Sequence, residues 1–498
     1  MTERRVFLAA LLSVLFLSLY VQMMSRTPPV TRPVASRSVQ TTSAIEKAAP
    51  YLISQEDVIE IESPDIRLEI GQTSGAIRRA TLKRFTNAKH ETLSFSGPIP
   101  LVRLQLGSAS GDWKLIDKTS SGVTFENNNY HVSYLINQTI PLVNIQLDSK
   151  NQYDNTAISL DSAWMKADGL DDRRNPLEVI ALHKSSDKRS YKRYLSGSRH
   201  ERIVPRGTSR LTLSERYFCQ SIAPASAAQT TILPSPQGTI VTRSVFHSTG
   251  PGPVAAIYFG PRDFFYLKQA GIAEAVPIGM LGQIGLILLV LLSWIASVTH
   301  NYGVAIILLS TAVTCATAPF TIMGFRSMKK MQELKPRIDK IMAQHKGDQA
   351  RANREVFALY KEHKVSPLGG CLPILLQMPI FIALFQAISH FVELRGQRFL
   401  WAADLSLPDH LLKLPTHLPI LGDYLNALPL IMAAVMYFQT KASQGASGSD
   451  QNPMASAFSG PIMPIMFGVM FYQFPAGLVL YWLSNSLLSL LWFRAAKS

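Results

Sequence analysis

Charge is scarce in this chain. Asp, Glu, Lys and Arg supply only 17% of its 498 residues, where about a quarter is usual for a soluble protein. Hydrophobic residues reach 47% and are gathered into long uncharged blocks. That pattern excludes a wholly soluble architecture and places the chain among membrane proteins. Cysteine is nearly absent. Cys219, Cys315 and Cys371 stand far apart, two of them inside apolar blocks, so no disulfide framework and no metal-ligand spacing can be drawn. No RNA-binding signature is present either. The net charge of +15 therefore reads as membrane orientation and contact with anionic lipid, not nucleic-acid binding.

The first apolar block, "RRVFLAALLSVLFLSLYV", follows Arg4 and Arg5. A cleaved signal peptide has the same plan, but "QMMSRTPPV" offers no small-x-small cleavage site. The reading is an uncleaved N-terminal transmembrane anchor, residues 1–24, with its N-terminus in the cytoplasm. Residues 25–50 are rich in Pro, Ser and Thr and read as a flexible linker. From 51 to 260 the pattern changes to short alternating runs, such as "VIEIE", "IRLEI", "LVRLQL", "YHVSYLI" and "TIVTRSVF". Period-two alternation between turn residues predicts antiparallel strands, and so many of them predict a large extracytoplasmic all-β sandwich. Within it, residues 173–216 hold twelve Lys/Arg against four Asp/Glu. Solvated strand faces and contact with lipid head groups are both open readings of that surplus.

The rest of the chain reads as a membrane α-helical bundle. Both 278–298 and 302–325 are apolar. The loop after them, 326–364, carries eleven Lys/Arg and five Asp/Glu and belongs in the cytoplasm. With the sandwich outside, only one of the two stretches spans. The choice is 302–325, which leaves 261–300 as an interfacial segment along the outer surface. Residues 326–364 read as a cytoplasmic helical hairpin of two amphipathic helices joined at Gly347. Further spans are expected at about 370–392, 424–440, 453–474 and 476–493. They complete a five-span core over 301–498, and the C-terminus falls in the cytoplasm.

None of these five spans contains Lys, Arg, Asp or Glu. A proton relay, an ion-coupled transporter or a charge-lined pore usually keeps an ionisable group in the membrane. A protease there would need a nucleophile–base pair or paired acids. No catalytic residues are assigned, and the chain does not read as an enzyme. What remains is neutral polarity. Ser310, Thr314, Thr317 and Thr321 recur at helical spacing, Gln377 interrupts the next span, and Tyr481, Asn485 and Ser489 mark the last. Two readings stay open: hydrogen-bonding glue between helices or the lining of a wet groove. Met432, Met436, Met463, Met466 and Met470 add adaptable apolar surface.

"NYGVAIILLS…APFT", "SMKKMQELKPRIDKI", "LYKEHKVSPLGGCLPILLQMPIFIALF" and "FPAGLVLYWLSN" resemble, in this order, the YidC/Oxa family, in particular the bacterial YidC-type membrane protein insertases. "YFGPRD" ahead of the interfacial segment fits the same plan. The resemblance is closest over 258–498 and extends over 1–257 in the order of its parts. It implies a protein of the cell inner membrane, with its β-domain in the periplasm, that inserts short hydrophobic segments of nascent membrane proteins and assists their folding. It implies action alone or beside the Sec translocon, possible contact with the ribosome, and no cofactor or metal. A hydrophilic groove, open to cytoplasm and lipid, would be lined here by Ser310, Thr314, Thr317, Gln377, Tyr481, Trp482 and Asn485. The hairpin residues Lys329, Lys330, Lys335 and Arg337 are the expected cytoplasmic contacts. One departure stands out. Where the family pattern places a groove arginine, four residues after Ser310 and five before Pro319, this chain has Thr314. A solute channel and a scaffold that binds and folds membrane partners without inserting them are the competing classes.

Overall fold

The structure is a computed structural model. It describes residues 56–495, apart from 87–90, 98, 107–112, 151–154, 166–176, 185–188, 196–200, 205–206, 234–238, 250, 276–279, 346, 364–371, 419–421 and 445–461. The expected anchor, 1–24, and linker, 25–50, lie outside the described residues. The remainder divides into two compact units between Pro277 and Ile278.

Alternation builds the first unit. "VIEIE" forms Val58–Glu62, with Ile59 and Ile61 buried and the other three residues exposed. The one-in, one-out pattern recurs in Val102–Leu106 and, with one flank half-covered, in Tyr130–Ile136, as the pleat of a half-buried strand requires. The strands make two antiparallel nine-stranded sheets. The first is centred on Asn155–Met165 and Thr239–Thr249, paired from Asn155 opposite Thr249 to Met165 opposite Thr239. The second runs between the edge strands Arg189–Leu195 and Lys114–Lys118. Aromatic rings join the two. Phe95 stacks on Trp164 at 4.4 Å and meets Phe218 of the other sheet edge-on at 5.7 Å. All three are fully buried. The far face of the second sheet is covered by helix α1 (Phe264–Gln269) and the short turn Ala273–Ala275, whose Leu267, Ile272 and Ala275 pack on Cys219 and Tyr258. The expected all-β sandwich is therefore present.

The second unit is helical: α2 (Met280–Thr299), α3 (Tyr302–Gln344), α4 (Gln349–Glu362), α5 (Leu372–Ser389), α6 (Ala427–Gln444), α7 (Ile462–Phe471) and α8 (Ala476–Ala495). Two stretches, Leu281–Thr299 of α2 and Tyr302–Met323 of α3, are long and apolar enough to cross a membrane, and α5, α7 and α8 hold shorter apolar stretches. Asn301 starts α3 by accepting a hydrogen bond from the Val304 N–H, as an N-cap does.

Several boundaries differ from expectation. The span at 302–325 and the first arm of the hairpin are one helix of 43 residues, about 64 Å long at 1.5 Å per residue. The change from apolar to basic at Arg326 suggested a joint. Charge does not break a helix, however, and "SMKKMQELK" is made of good helix formers. Asp348 then caps α4 through the Arg351 N–H, so the turn of the hairpin sits at His345–Asp348. The span expected from 424 opens instead with the strand Gly422–Leu425, paired with Leu412–Leu418. Its helix begins at Ala427. Of the span expected at 453–474, Ile462–Phe471 is helical and 453–461 lie outside the described residues.

The register of α2 is informative. Its last residue, Thr299, is three positions from Tyr302, whose ring meets Phe391 just beyond α5 at 5.9 Å. Gly285 lies fourteen residues before that end, about 21 Å along the axis. Even so, it faces Ala383 and Ala387, still close to the end of α5. A Cβ at Gly285 would stand 2.7 Å from the Ala383 carbonyl. Helix α2 therefore packs tightly against the last turns of α5 at this glycine.

Candidate intramembrane polar cluster

Hydrocarbon offers no hydrogen bonds, so every polar side chain on an apolar helix must find a partner within the protein. Helices α3, α5 and α8 bring five such residues together. Ser310, fully buried, donates from Oγ to the Tyr481 carbonyl at 3.2 Å. One turn on, Thr314 Oγ1 lies 2.8 Å from Asn485 Oδ1 and 2.7 Å from the Ser310 carbonyl. Its single proton serves these two acceptors. Both links between α3 and α8 join residues 171 apart. The two helices thus run in the same direction, in step by one turn. From α5, Gln377 Nε2 donates to the Tyr481 hydroxyl at 2.6 Å.

The row continues along α3. Thr317 donates to the Val313 carbonyl at 3.0 Å and Thr321 to the Thr317 carbonyl at 3.2 Å. Ser310, Thr314 and Tyr481 are buried, whereas Asn485 and Thr317 are half-buried. Cover is thinnest at Asn485 and Thr317, and Thr321, one turn farther toward the hairpin, is buried again.

Trp482 does not join the row. Its ring stands perpendicular to Phe381 at 4.9 Å and packs near Phe471 and Phe467. That places it in an aromatic cluster of α5, α7 and α8. On the hairpin, Lys329, Lys330 and Arg337 are exposed, and Arg337 Nη1 lies 3.3 Å from His363 Nε2. Of the Lys335 side chain nothing is described.

A second polar assembly escaped sequence reading. Buried Asp409 receives three hydrogen bonds on Oδ2: from the Ala427 N–H at 2.7 Å, the Leu428 N–H at 3.0 Å and Trp401 Nε1 at 2.8 Å. The first two are the free amides at the start of α6, where a carboxylate is favoured. Beside it, Asn426 Nδ2 donates to the Tyr472 carbonyl at 2.8 Å, and the His410 N–H donates to Asn426 Oδ1 at 3.0 Å. The usable signal was an Asn directly before the apolar run of α6, which is a helix-start pattern.

The row is neutral throughout. It can hold groups by hydrogen bonds and can be hydrated, and it presents no charged side chain to an ion.

Comparison with known proteins follows this geometry. Residues 294–494 match the model of the family described as 60Kd inner membrane protein. The Membrane protein insertase YidC of Syntrophobacter fumaroxidans is 41% identical over 236 residues, covering 47% of this chain and 41% of that protein. That of Geotalea daltonii is 36% identical over 289 residues, covering 56% and 51%. The chain thus spans about half the length of the curated relatives it matches. The crystal structure of YidC from Thermotoga maritima aligns with 88% of this chain and 98% of its own at 13% identity, with a TM-score of 0.30. Over residues 294–494 the chain is similar to the 60Kd inner membrane proteins, and the relatives it matches are YidC-type membrane protein insertases.

Proposed function

We propose that the protein is a membrane insertase and chaperone that moves short hydrophobic segments of nascent membrane proteins into the bilayer and helps them fold, alone or with the Sec translocon. The observation that carries this reading is the neutral polar row of Ser310, Thr314, Gln377, Tyr481 and Asn485, set among apolar helices and least covered at Asn485. Each unsatisfied backbone group in hydrocarbon costs several kcal/mol. A row that hydrates shortens the apolar distance a polar tail must cross. Partition of the adjoining apolar segment into lipid then drives the step. No cofactor and no catalytic residue enters.

The topology that goes with this function has six spans, with both termini and the hairpin in the cytoplasm and the sandwich in the periplasm. Helix α2 is read as an interfacial element that dips into the outer leaflet, because the basic loop 326–364 belongs in the cytoplasm and only one of α2 and α3 can then span, although the length and apolarity of α2 would suit a span. The exposed Lys329, Lys330 and Arg337 suit anionic lipid head groups or a ribosome. Lys335 is assigned to the same surface from its place in the sequence.

A second reading is a scaffold that folds membrane partners without inserting them. It is favoured by one observation: Thr314 and Asn485 satisfy each other, as glue between helices would. Insertion by the purified protein in liposomes separates the two. A single-span substrate with a short acidic tail, and the same substrate with a neutral tail, are scored by protease protection. An insertase without a groove cation protects both, or the neutral tail alone. A scaffold protects neither. The variant Gln377→Leu is expected to lower insertion by a larger factor than it lowers the yield of folded protein. Equal losses would make Gln377 a purely structural link.

A further inference from the structure

The loop between α5 and α6 closes with an unusual turn. Phe399 and Ala402 exchange two backbone hydrogen bonds of 3.0 Å, which leaves Leu400 and Trp401 at the tip. Leu400 has φ +53°. Gly, Asn or Asp normally occupies such a left-handed tip, because a branched apolar side chain gains nothing there and crowds its own backbone. Here the tip carries two large apolar side chains that point outward, Leu400 at 70% and Trp401 at 39% exposure. Leu411 at 47% and Leu412 at 60% add to them, because the bond from Trp401 to Asp409 ties the tip to the strand that Leu412 begins.

The loop is rigidly mounted. The Phe399 ring lies against Gly303, where a Cβ would overlap it. The Ala476 and Gly477 N–H groups of α8 donate to the Leu407 and Leu405 carbonyls at 2.7 and 2.9 Å, and Asp409 holds the start of α6. The apolar patch is thus built on the ends of α3, α6 and α8.

We infer that Leu400, Trp401, Leu411 and Leu412 form a foot that sits in the outer leaflet, at the boundary between phospholipid head groups and acyl chains. Three observations select lipid as the occupant. Trp401 presents an apolar ring whose N–H is already satisfied, the side chain favoured at membrane interfaces. Exposed Arg398 and Lys413 flank the patch, suited to lipid phosphates, against one exposed carboxylate, Asp423, on the paired strand, while Asp409 is turned inward. The patch is also continuous with the bundle exterior, because Leu412 pairs with Leu425 at the strand that leads into α6, where Leu430 and Ile431 are exposed. The foot fixes the depth of the helix ends, and so the depth of the polar row below them. This inference rests on the reading that the bundle lies in a bilayer.

Spin labels test it in the full chain, with its three cysteines replaced and the protein reconstituted in phospholipid vesicles. One label is placed at each of Leu400→Cys, Leu412→Cys, Val469→Cys on the exposed flank of α7, and Ile116→Cys on the edge of the sandwich. Collision with oxygen, which concentrates in lipid, is compared with collision with a water-soluble nickel chelate. Labels at 400 and 412 are expected to behave like the one at 469, with oxygen favoured several-fold, and the label at 116 to show the reverse. Positions 400 and 412 behaving like 116, while 469 stays in lipid, would overturn the foot and leave the membrane reading intact. A water-exposed 469 would overturn both. Shielding of 400 and 412 from both reagents would mean a protein contact instead and would also overturn the inference. Because 412 lies on a strand and carries no backbone strain, it decides the matter if Leu400→Cys fails to fold.

Discussion

The sandwich and the helical bundle differ in where they bury charge. In the sandwich, charges go inside in pairs: Arg262 meets Glu178 at 2.5 Å, Arg78 meets Glu56 at 2.6 Å, and Arg243 holds Asp161 at 2.7 Å. Between its apolar helices the bundle uses neutral groups, with Thr314 on Asn485 and Gln377 on Tyr481, and its buried carboxylate, Asp409, lies in a loop on the amides that start α6. Water explains the difference. These ion pairs keep part of their exposure, up to 23% for Arg243, and so part of their hydration, whereas a charge among lipid-facing helices has none to keep. The same two amino-acid inventories are thus sorted by solvent, and the two units should respond differently to the same kind of insult.

The largest contrast is expected from an aromatic deletion. Trp164→Ala removes the centre of the stack between Phe95 and its sheet. It should destabilise the sandwich by about 3–5 kcal/mol, read by denaturant unfolding followed by tryptophan emission, with the helix content of the bundle retained. A loss below roughly 1 kcal/mol would show that the ring is not a keystone of the core. Smaller is the effect of Thr314→Val, which keeps the volume and leaves Asn485 Oδ1 without its donor. Interhelical hydrogen bonds in membranes are worth about 0.6 kcal/mol on average and at most roughly 2. A modest drop in thermal stability in lipid is expected, with Asn485→Ala in the same background adding little. Full additivity of the two would refute the link. Smallest is a pH effect confined to the sandwich. Burial alone would raise the Glu56 pKa, but hydrogen bonds from Ser74 and Thr73 and the Arg78 guanidinium outweigh it and hold the carboxyl below its usual range. A depressed folded-state pKa stabilises at pH above the unfolded value, and that contribution is lost as pH falls through the folded value. Acid should therefore loosen the sandwich below the ordinary carboxylate range, and Glu56→Gln should flatten that part of the curve. The neutral polar row of the bundle should show no such step.

The sandwich was the more legible unit. In "YHVSYLI" every second side chain is apolar or aromatic, and Tyr130–Ile136 is a strand over those same seven residues with that face buried. What alternation cannot say is which strand lies beside which. The pairing of Asn155–Met165 with Thr239–Thr249 links segments about eighty residues apart. In the bundle, polarity inside apolar runs pointed to Ser310, Thr314, Gln377, Tyr481 and Asn485, and the structure brings those five together. Trp482 shares their helix but not their side of it, so its aromatic partners depended on the packing of α5 and α7. Asp409 and Asn426 were missed because a loop carboxylate and amide look solvated until the helix start they serve is placed over them.

Helix α3 has a mechanical consequence. One rod carries the polar row at one end and the basic arm at the other, with no loop between them. A load taken up by the arm is passed to Thr314 as tilt or torsion, not dissipated in a flexible joint. The compliance that exists is local. Pro319 and Pro336 lie inside the helix, and each lacks the amide that would complete the backbone ladder. Pro319 follows Thr314 by five residues. The rod is therefore softest within the row itself, between Thr317 and Thr321 and below the contact of Ser310 with Tyr481.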